Sequence, residues 1–390
     1  MKAGIVCLVL AYVLSQFYRA FLAVLTPVLG ADLGVTAEDL AAASGLWFLT
    51  FAAFQIPVGI ALDRIGPRLT TALIFAAGGG GGALLFAFAQ GPGTIKLAMA
   101  LIGIGCSPVL MAAYYIFARL YAPAVFGTLA GALVGFGNFG NIASSLPLAL
   151  AVDMMGWRVT MLLLAAITLA IALATALLLR DPPRLEGNIR GSLMDLLRLP
   201  ALWFIIPMIM VCYFPSAALR GLWVGPFYTD VYGADATMIG SVTLAMGIAM
   251  ILGNFAYGPL DRLLGTRKWV IFGGNVAALA CLAALWTFPL SGPVTIALLL
   301  AALGFFGASF PMMMAHGRAF FPPHLVGRGV TLLNLFSLGA TGLAQYASGW
   351  IHAGAARNPA EAAFTPIFAA FALALVVGLA IYAFSEDRTD

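Results

Sequence analysis

Gly59-Ile60-Ala61-Leu62-Asp63-Arg64-Ile65-Gly66-Pro67-Arg68 interrupts a long apolar tract. Asp261-Arg262-Leu263-Leu264-Gly265-Thr266-Arg267-Lys268 interrupts another in the same way, with one extra residue. On both sides of each segment the chain stays apolar for about 20 residues, the length that crosses a bilayer. Hydrophobic residues make up 63% of the 390 and charged ones 9%, a balance found in integral membrane proteins and not in soluble domains of this size. Working outward, apolar spans fall near 4–30, 40–62, 69–90, 94–117, 127–151, 157–180, 201–227, 237–260, 268–289, 294–316, 328–352 and 363–384. The expected fold class is an all-α membrane protein with twelve transmembrane helices.

The first run continues past Leu25, too long for the apolar core of a signal peptide, and no small-residue cleavage site follows it. Cys7, Cys106, Cys212 and Cys281 all fall inside apolar runs. They read as small core residues, not as a disulfide framework or a metal cluster. Orientation follows from loop Lys and Arg. With the N-terminus inside, the cytoplasmic loops carry Lys2, Arg64, Arg68, Arg119, Arg180, Arg184, Arg190, Arg198, Arg262, Arg267, Lys268, Arg318, Arg328 and Arg388, against Lys96, Arg158 and Arg357 outside. Fourteen against three places both termini in the cytoplasm of a bacterial inner membrane. The net charge of +4 is therefore topological and implies no nucleic acid.

The longest connection, 181–200, is polar and contains Pro and Gly. It divides an N-terminal six-helix bundle (1–180) from a C-terminal one (201–390), and Ser192 is placed to cap a short surface helix with Leu193, Leu196 and Leu197 on one face. The halves repeat. Arg19 maps to Arg220 at an offset of 201, Asp63-Arg64 to Asp261-Arg262 at 198, and Arg119 and Pro123 to Arg318 and Pro322 at 199. Parallel six-plus-six repeats are the architecture of secondary transporters, with a site near the bilayer midplane.

The 59–68 segment resembles the G-x3-D-R-x-G-x-R loop signature of the major facilitator superfamily, and with twelve spans and a central loop the resemblance covers the whole chain. It implies two pseudo-symmetric bundles and a gate made of Asp63, Arg64, Arg68, Arg119, Asp261 and Arg262, where charge-assisted bonds hold one side shut. The plainer reading is that these arginines only anchor the loops on the positive side.

Two arginines have no such loop role. Arg19, in Gln16-Phe17-Tyr18-Arg19-Ala20-Phe21, and Arg220, in Tyr213-Phe214-Pro215-Ser216-Ala217-Ala218-Leu219-Arg220, both lie deep in apolar spans. A guanidinium at that depth costs from about 3 to above 10 kcal/mol, and it does not shed its proton. None of the 15 Asp and Glu lies mid-span. Asp32 and Asp230, the acidic residues that follow them on the same spans, lie about 20 Å and 15 Å further along the helix. Two fixed positive charges without a negative one point to an anionic ligand held across a water-filled cavity. The alternative is neutralisation by helix carbonyls or by a carboxylate from elsewhere.

Polar stripes at helical spacing support a cavity. Span 1 gives Tyr12, Gln16, Arg19, Ala23 and Thr26. Span 2 gives Trp47, Phe51 and Gln55, and span 7 gives Tyr213, Ser216, Arg220 and Trp223. Asn138, Asn141 and Ser145 on span 5, and Asn334, Ser337, Thr341 and Gln345 on span 11, fit cavity lining and interhelical bonding equally.

Within the superfamily, Tyr18-Arg19-Ala20-Phe21-Leu22-Ala23-Val24-Leu25-Thr26-Pro27 is similar to the span-1 segment of the organophosphate:phosphate antiporters. That resemblance implies that Arg19 and Arg220 clamp the anion. The family's span-2 lysine falls on Gln55, its span-2 tyrosine on Phe51, and its span-5 histidine near Gly137 and Asn138. Fewer positive groups imply a less charged cargo: a carboxylate, or a singly charged ester or inorganic anion; the resemblance to related branches of the superfamily adds sugar acids and other organic anions. No intramembrane carboxylate is available as a proton relay. His324 lies in a loop, and His316 and His352 lie at span ends. Exchange of one anion for another is therefore expected over proton coupling.

Other features read as packing. Gly78 to Gly82 lacks the Lys-Ser/Thr of a phosphate loop. Met246, Met250 and Met312 to Met314 lack histidines at metal-site spacing. The sequence thus predicts a monomeric, cofactor-free carrier of a small anion in the lipid bilayer. Arg19 and Arg220 are its ligands, and Tyr12, Gln16, Tyr18, Gln55, Asn138, Tyr213 and Trp223 are neighbours that set its shape. Uptake or exchange fits better than efflux. A copper or other metal importer of the same fold and a non-transporting assembly factor are the rival readings. No constellation for catalysis is present at membrane depth.

Overall fold

The computed structural model describes residues 2–121, 123–183, 196–322, 325–356 and 358–389. Secondary structure there is helical, with no strand among the described residues. Nine helices among them are long and apolar enough to cross a membrane, and two bent pairs that pass together raise the number to as many as eleven. The remaining expected span coincides with Val326–Gly354, a 29-residue helix. Ser192 and Leu193 of the expected linker helix lie outside the described residues.

Contacts divide the chain into two compact units on either side of the central connection, with Asp235–Gly240 grouped with the first. In the first unit, span 1 (Lys2–Phe17, then Leu22–Leu33) packs on span 4 (Pro92–Leu120), span 5 (Pro123–Ala143, then Leu146–Met155) and span 6 (Trp157–Leu178). The glycines decide how close these helices come. A Cβ on Gly140 would overlap the Val13 carbonyl, and one on Gly105 would overlap Gly79 N. Spans 3 and 4 therefore touch backbone to backbone along Gly78–Gly82, as interfaces built on small residues do. Part of this glycine run lies in a π-helical turn, Phe75–Gly80.

In the second unit, the start of span 7 (Leu202–Val211) packs on Val326–Gly354 and on Thr365–Tyr382, which also covers Lys268–Thr287. A Cβ on Gly253 of span 8 (Ala236–Leu264) would overlap the Phe305 carbonyl of span 10.

The repeat reappears in the turns. Gly34 and Gly233 end spans 1 and 7 with φ of 63° each, and Gly66 and Gly265 sit in the two loop motifs with φ of 106° and 67°. These left-handed conformations favour glycine. Thr36 then starts span 2 with a capping box, accepting from Asp39 N while Asp39 Oδ2 accepts from Thr36 N.

Spans 1, 5 and 7 are among the described spans whose helices are interrupted. Span 1 breaks at residues 18–21 and bends by 55°; span 5 bends by 43° at Ser144–Ser145. The second bend has a chemical cause. Pro147 has no N–H to donate, and the hydroxyls of Ser144 and Ser145 donate to the Asn141 carbonyl, at 2.9 and 3.0 Å. Span 7 bends at Cys212–Tyr213, resumes at Phe214–Ala218 and passes through a π-helical turn at Leu219–Trp223. The continuous stripe expected on span 1 is therefore corrected. It holds from Tyr12 to Gln16 and is interrupted where Arg19 sits.

Candidate functional site

Arg19 lies in the break itself, between Phe17 and Leu22. The break contains no proline or glycine. Packing holds it: Phe17, Tyr18 and Phe21 contact one another ring to ring, with centroids 5.7 to 5.9 Å apart. The Tyr18 hydroxyl is 2.9 Å from Thr168 Oγ1 on span 6. Tyr18 thus turns one way and anchors the break, while Arg19 turns to span 2. Its guanidinium carbon stands over the rings of Trp47 and Phe51, 5.4 and 5.1 Å from their centroids. Those rings stack on each other at 5.2 Å. The side chain is half-buried, and the two cation–π contacts offset roughly 0.5–2 kcal/mol each of its desolvation. Among the described residues no carboxylate reaches Arg19, and its Nε is buried without an acceptor.

Arg220, in the second unit, is only 4% exposed. It occupies the π-helical turn of span 7, a device that recurs at functional sites because it re-aims side chains. Its Nε donates to the Thr243 carbonyl at 3.2 Å. Gly247, one turn further along span 8, leaves room for the guanidinium: a Cβ there would stand 3.1 Å from Nε and Nη2.

The other expected neighbours divide. Gln16 Nε2 donates to the Tyr12 hydroxyl at 3.2 Å, and Gly137 packs on the Tyr12 ring, so spans 1 and 5 meet there. Asn138 accepts from Asn141 at 3.4 Å and is partly exposed. Gln55 is 2% exposed, and its amide nitrogen donates to the carbonyls of Phe51 and Ser107. That nitrogen is committed to backbone. Tyr213 packs on Phe310, with centroids 5.4 Å apart. Trp223 donates to Ser348 Oγ at 2.9 Å and lies against His352. Its indole N–H and the Tyr18 hydroxyl both engage other helices and neither guanidinium.

The loop motifs form two carboxylate-centred clusters. Asp63 stands 3.8 Å from Arg119, which also donates to the Pro183 carbonyl and lies over Tyr115. Arg64 and the Arg68 side chain are exposed, but Arg68 N donates to Asp181 at 2.7 Å. A Cβ on Gly66 would stand 2.8 Å from that carboxyl carbon. In the second unit Asp261 pairs with Arg267 at 3.0 Å, while Arg262 is exposed. Asp387 plays the part of Asp181. It accepts from Thr266 Oγ1 and from the N–H groups of Arg267 and Lys268. Burial alone would raise the Asp387 carboxyl, but these bonds outweigh it and hold the group below the usual carboxylate range.

Sequence reasoning passed over Asp181, Asp387, Arg267 as a gate partner, Thr168 and Thr243. The repeat held a signal for the first two, since each lies just beyond the last helix of its half.

Comparison with known proteins agrees with this geometry. A model of the Major Facilitator Superfamily matches residues 8–224 and again 209–390. A curated relative, the probable sulfoacetate transporter SauU of Cupriavidus necator, is 22% identical over 332 residues, 78% of this chain and 76% of its own. Among solved structures, the D-xylose-proton symporter superposes with a TM-score of 0.79 at 12% identity, covering 99% of this chain and 98% of its own. A bacterial homologue of the human lysosomal transporter Spinster, inward-facing and occupied, gives 0.75 at 17% identity over 98% and 96%. The nucleoside transporter NupG gives 0.76 at 16% identity over 98% and 100%. The twelve-span repeat, the loop motif and the family match over both halves lead to one conclusion: this chain belongs to the Major Facilitator Superfamily and is a multi-pass membrane transporter, not an enzyme.

Proposed function

We propose that this transporter moves a small organic anion across the inner membrane by alternating access, in uptake or exchange, and that Arg19 and Arg220 are its anion ligands. The observation that carries the reading is Arg19: a guanidinium in the break of span 1, with a buried, unpartnered Nε and no carboxylate within reach among the described residues. Such a charge is retained where a ligand completes it. Arg220, set in a π-helical turn beside a glycine, supplies the second charge. The relative named for sulfoacetate supports a small cargo with sulfonate and carboxylate heads. A loaded carrier must release on the far side, so affinity is moderate. The Asp63–Arg119 and Asp261–Arg267 clusters act as the gate at the end that bears the termini, which lies in the cytoplasm, and the protein works as a monomer.

The test is a thermal-shift screen of sulfonates, carboxylates, sugar acids and phosphate esters on the purified protein, repeated on Arg19→Gln and Arg220→Gln. The proposal expects one anion class to stabilise the wild type and neither variant. Stabilisation by no anion, or equal stabilisation of both variants, would sink it.

A further inference from the structure

Trp47 is fully buried, yet among the described residues its indole N–H has no acceptor, and neither has the buried Nε–H of Arg19. The two side chains are neighbours, with the guanidinium carbon 5.4 Å from the Trp47 ring centroid. An indole nitrogen only donates, and so does a guanidinium. Buried donors left without partners cost about 1–3 kcal/mol each, and native structures keep few of them. Two at one place, beside a charge with no counter-ion among the described residues, describe a seat made to receive oxygen atoms. Phe51 stacks beside Trp47 on the same side of the cation, 5.1 Å from its ring centroid, and offers no polar atom. Gln55, one turn further, has turned its donor to the Phe51 and Ser107 carbonyls and adds nothing to the seat from that nitrogen.

We infer that Trp47 donates its indole N–H to the same anion as Arg19, and that this third donor selects a tetrahedral head, a sulfonate or phosphonate, over a planar carboxylate. The inference rests on the anion reading of Arg19. The guanidinium edge matches two oxygens in a plane, as a carboxylate presents them. A carboxylate has no further oxygen for a donor on the ring side. A sulfonate has a third oxygen, out of the plane of the other two, and stays singly charged at every physiological pH. The aromatic floor of Trp47 and Phe51 then covers the methylene that joins the head to the rest of the molecule.

The experiment uses sulfoacetate and malonate, two dianions that differ in one head, on the purified full chain. Trp47→Phe keeps an aromatic ring beside Phe51 and removes the N–H together with the fused five-membered ring. Hydrogen bonds to charged groups predict a loss of about ten-fold or more for sulfoacetate, with no comparable loss for malonate. Replacing Trp47 by 3-benzothienylalanine, which has sulfur for N–H in the same outline, must give the same split and serves as the second variant should Trp47→Phe fold poorly. Equal affinity of the variants and wild type for sulfoacetate, or an equal loss for both dianions, overturns the role of Trp47. If Trp47→Phe is harmless while Arg19→Gln abolishes binding, this inference fails and the anion reading stands. If Arg19→Gln also binds normally, the anion reading fails with it.

Discussion

Replacing Arg19 by glutamine separates two explanations of the same residue, because they predict opposite effects on the empty protein. Arg19 makes cation–π contacts with Trp47 and Phe51, has no carboxylate partner among the described residues, and leaves its Nε unbonded. The substitution loses about 0.5–2 kcal/mol per aromatic contact. It also removes a partly buried charge, whose Nε is covered and unpaired, and so relieves part of the desolvation cost of a guanidinium. The balance favours the variant, so its melting temperature in detergent without ligand should equal or exceed that of the wild type. With ligand the sign reverses. Removing one partner of a buried, hydrogen-bonded charge pair costs about 2–5 kcal/mol, or roughly 30-fold to several thousand-fold in affinity. Titration of sulfoacetate in a thermal-shift assay reads both quantities. Arg19→Lys keeps the charge but not the planar fork, and should fall between. A strongly destabilised empty Arg19→Gln protein that still binds the anion would refute the reasoning, because Arg19 would then be a structural cation.

Further outcomes follow from the packing and the loops. Asp387→Ala removes the acceptor of three donors at the start of Lys268–Thr287. It should cost about 0.5–1 kcal/mol, the worth of a helix cap, and speed proteolysis of the C-terminal tail. Because the Asp387 carboxyl is held below its ordinary range, its contribution is present above the unfolded-state value near pH 4 and lost as pH falls below it. Melting curves of Asp387→Ala and wild type should therefore converge in acid. Gly105→Leu puts a side chain into the Gly79 backbone and should abolish the monodisperse peak in detergent chromatography, an overpacking that neighbouring backbone does not relieve. Asp63→Asn breaks a pair 3.8 Å long whose carboxylate is 63% exposed. It should change stability by under about 1 kcal/mol while shifting the balance of open states, read as cysteine labelling rates at the loop.

The elements legible in the sequence are those set by chain-wide physics. Apolar runs of bilayer length gave the spans, and the loop motif with its echo gave the repeat. Gly34 with Gly233 and Gly66 with Gly265 hold left-handed turns at matching places in the two halves. Arg19 and Arg220 stood out because a charge at membrane depth is expensive wherever it points. What stayed hidden is direction. Hydropathy does not tell a helix face that meets lipid from one that meets protein, since both are apolar. Nothing in the composition of Tyr18 and Arg19 says that the hydroxyl turns to Thr168 and the guanidinium to Trp47. The break of span 1 was hidden for a related reason: it lacks proline and glycine and depends on aromatic packing. Trp47 appeared only as a member of the span-2 stripe with Phe51 and Gln55, and its unpaired N–H emerges only once neighbouring helices close over it.

The most direct measurement of the central claim is counterflow in proteoliposomes. Vesicles preloaded with unlabelled sulfoacetate are diluted into a trace of the labelled anion, with wild type, Arg19→Gln and Arg220→Gln reconstituted in parallel. An organic-anion carrier that uses these two guanidiniums predicts accumulation of label by the wild type above protein-free vesicles and none by either variant. Uptake in Arg19→Gln equal to the wild type, or no uptake by the wild type of sulfoacetate or any other small anion, would contradict it.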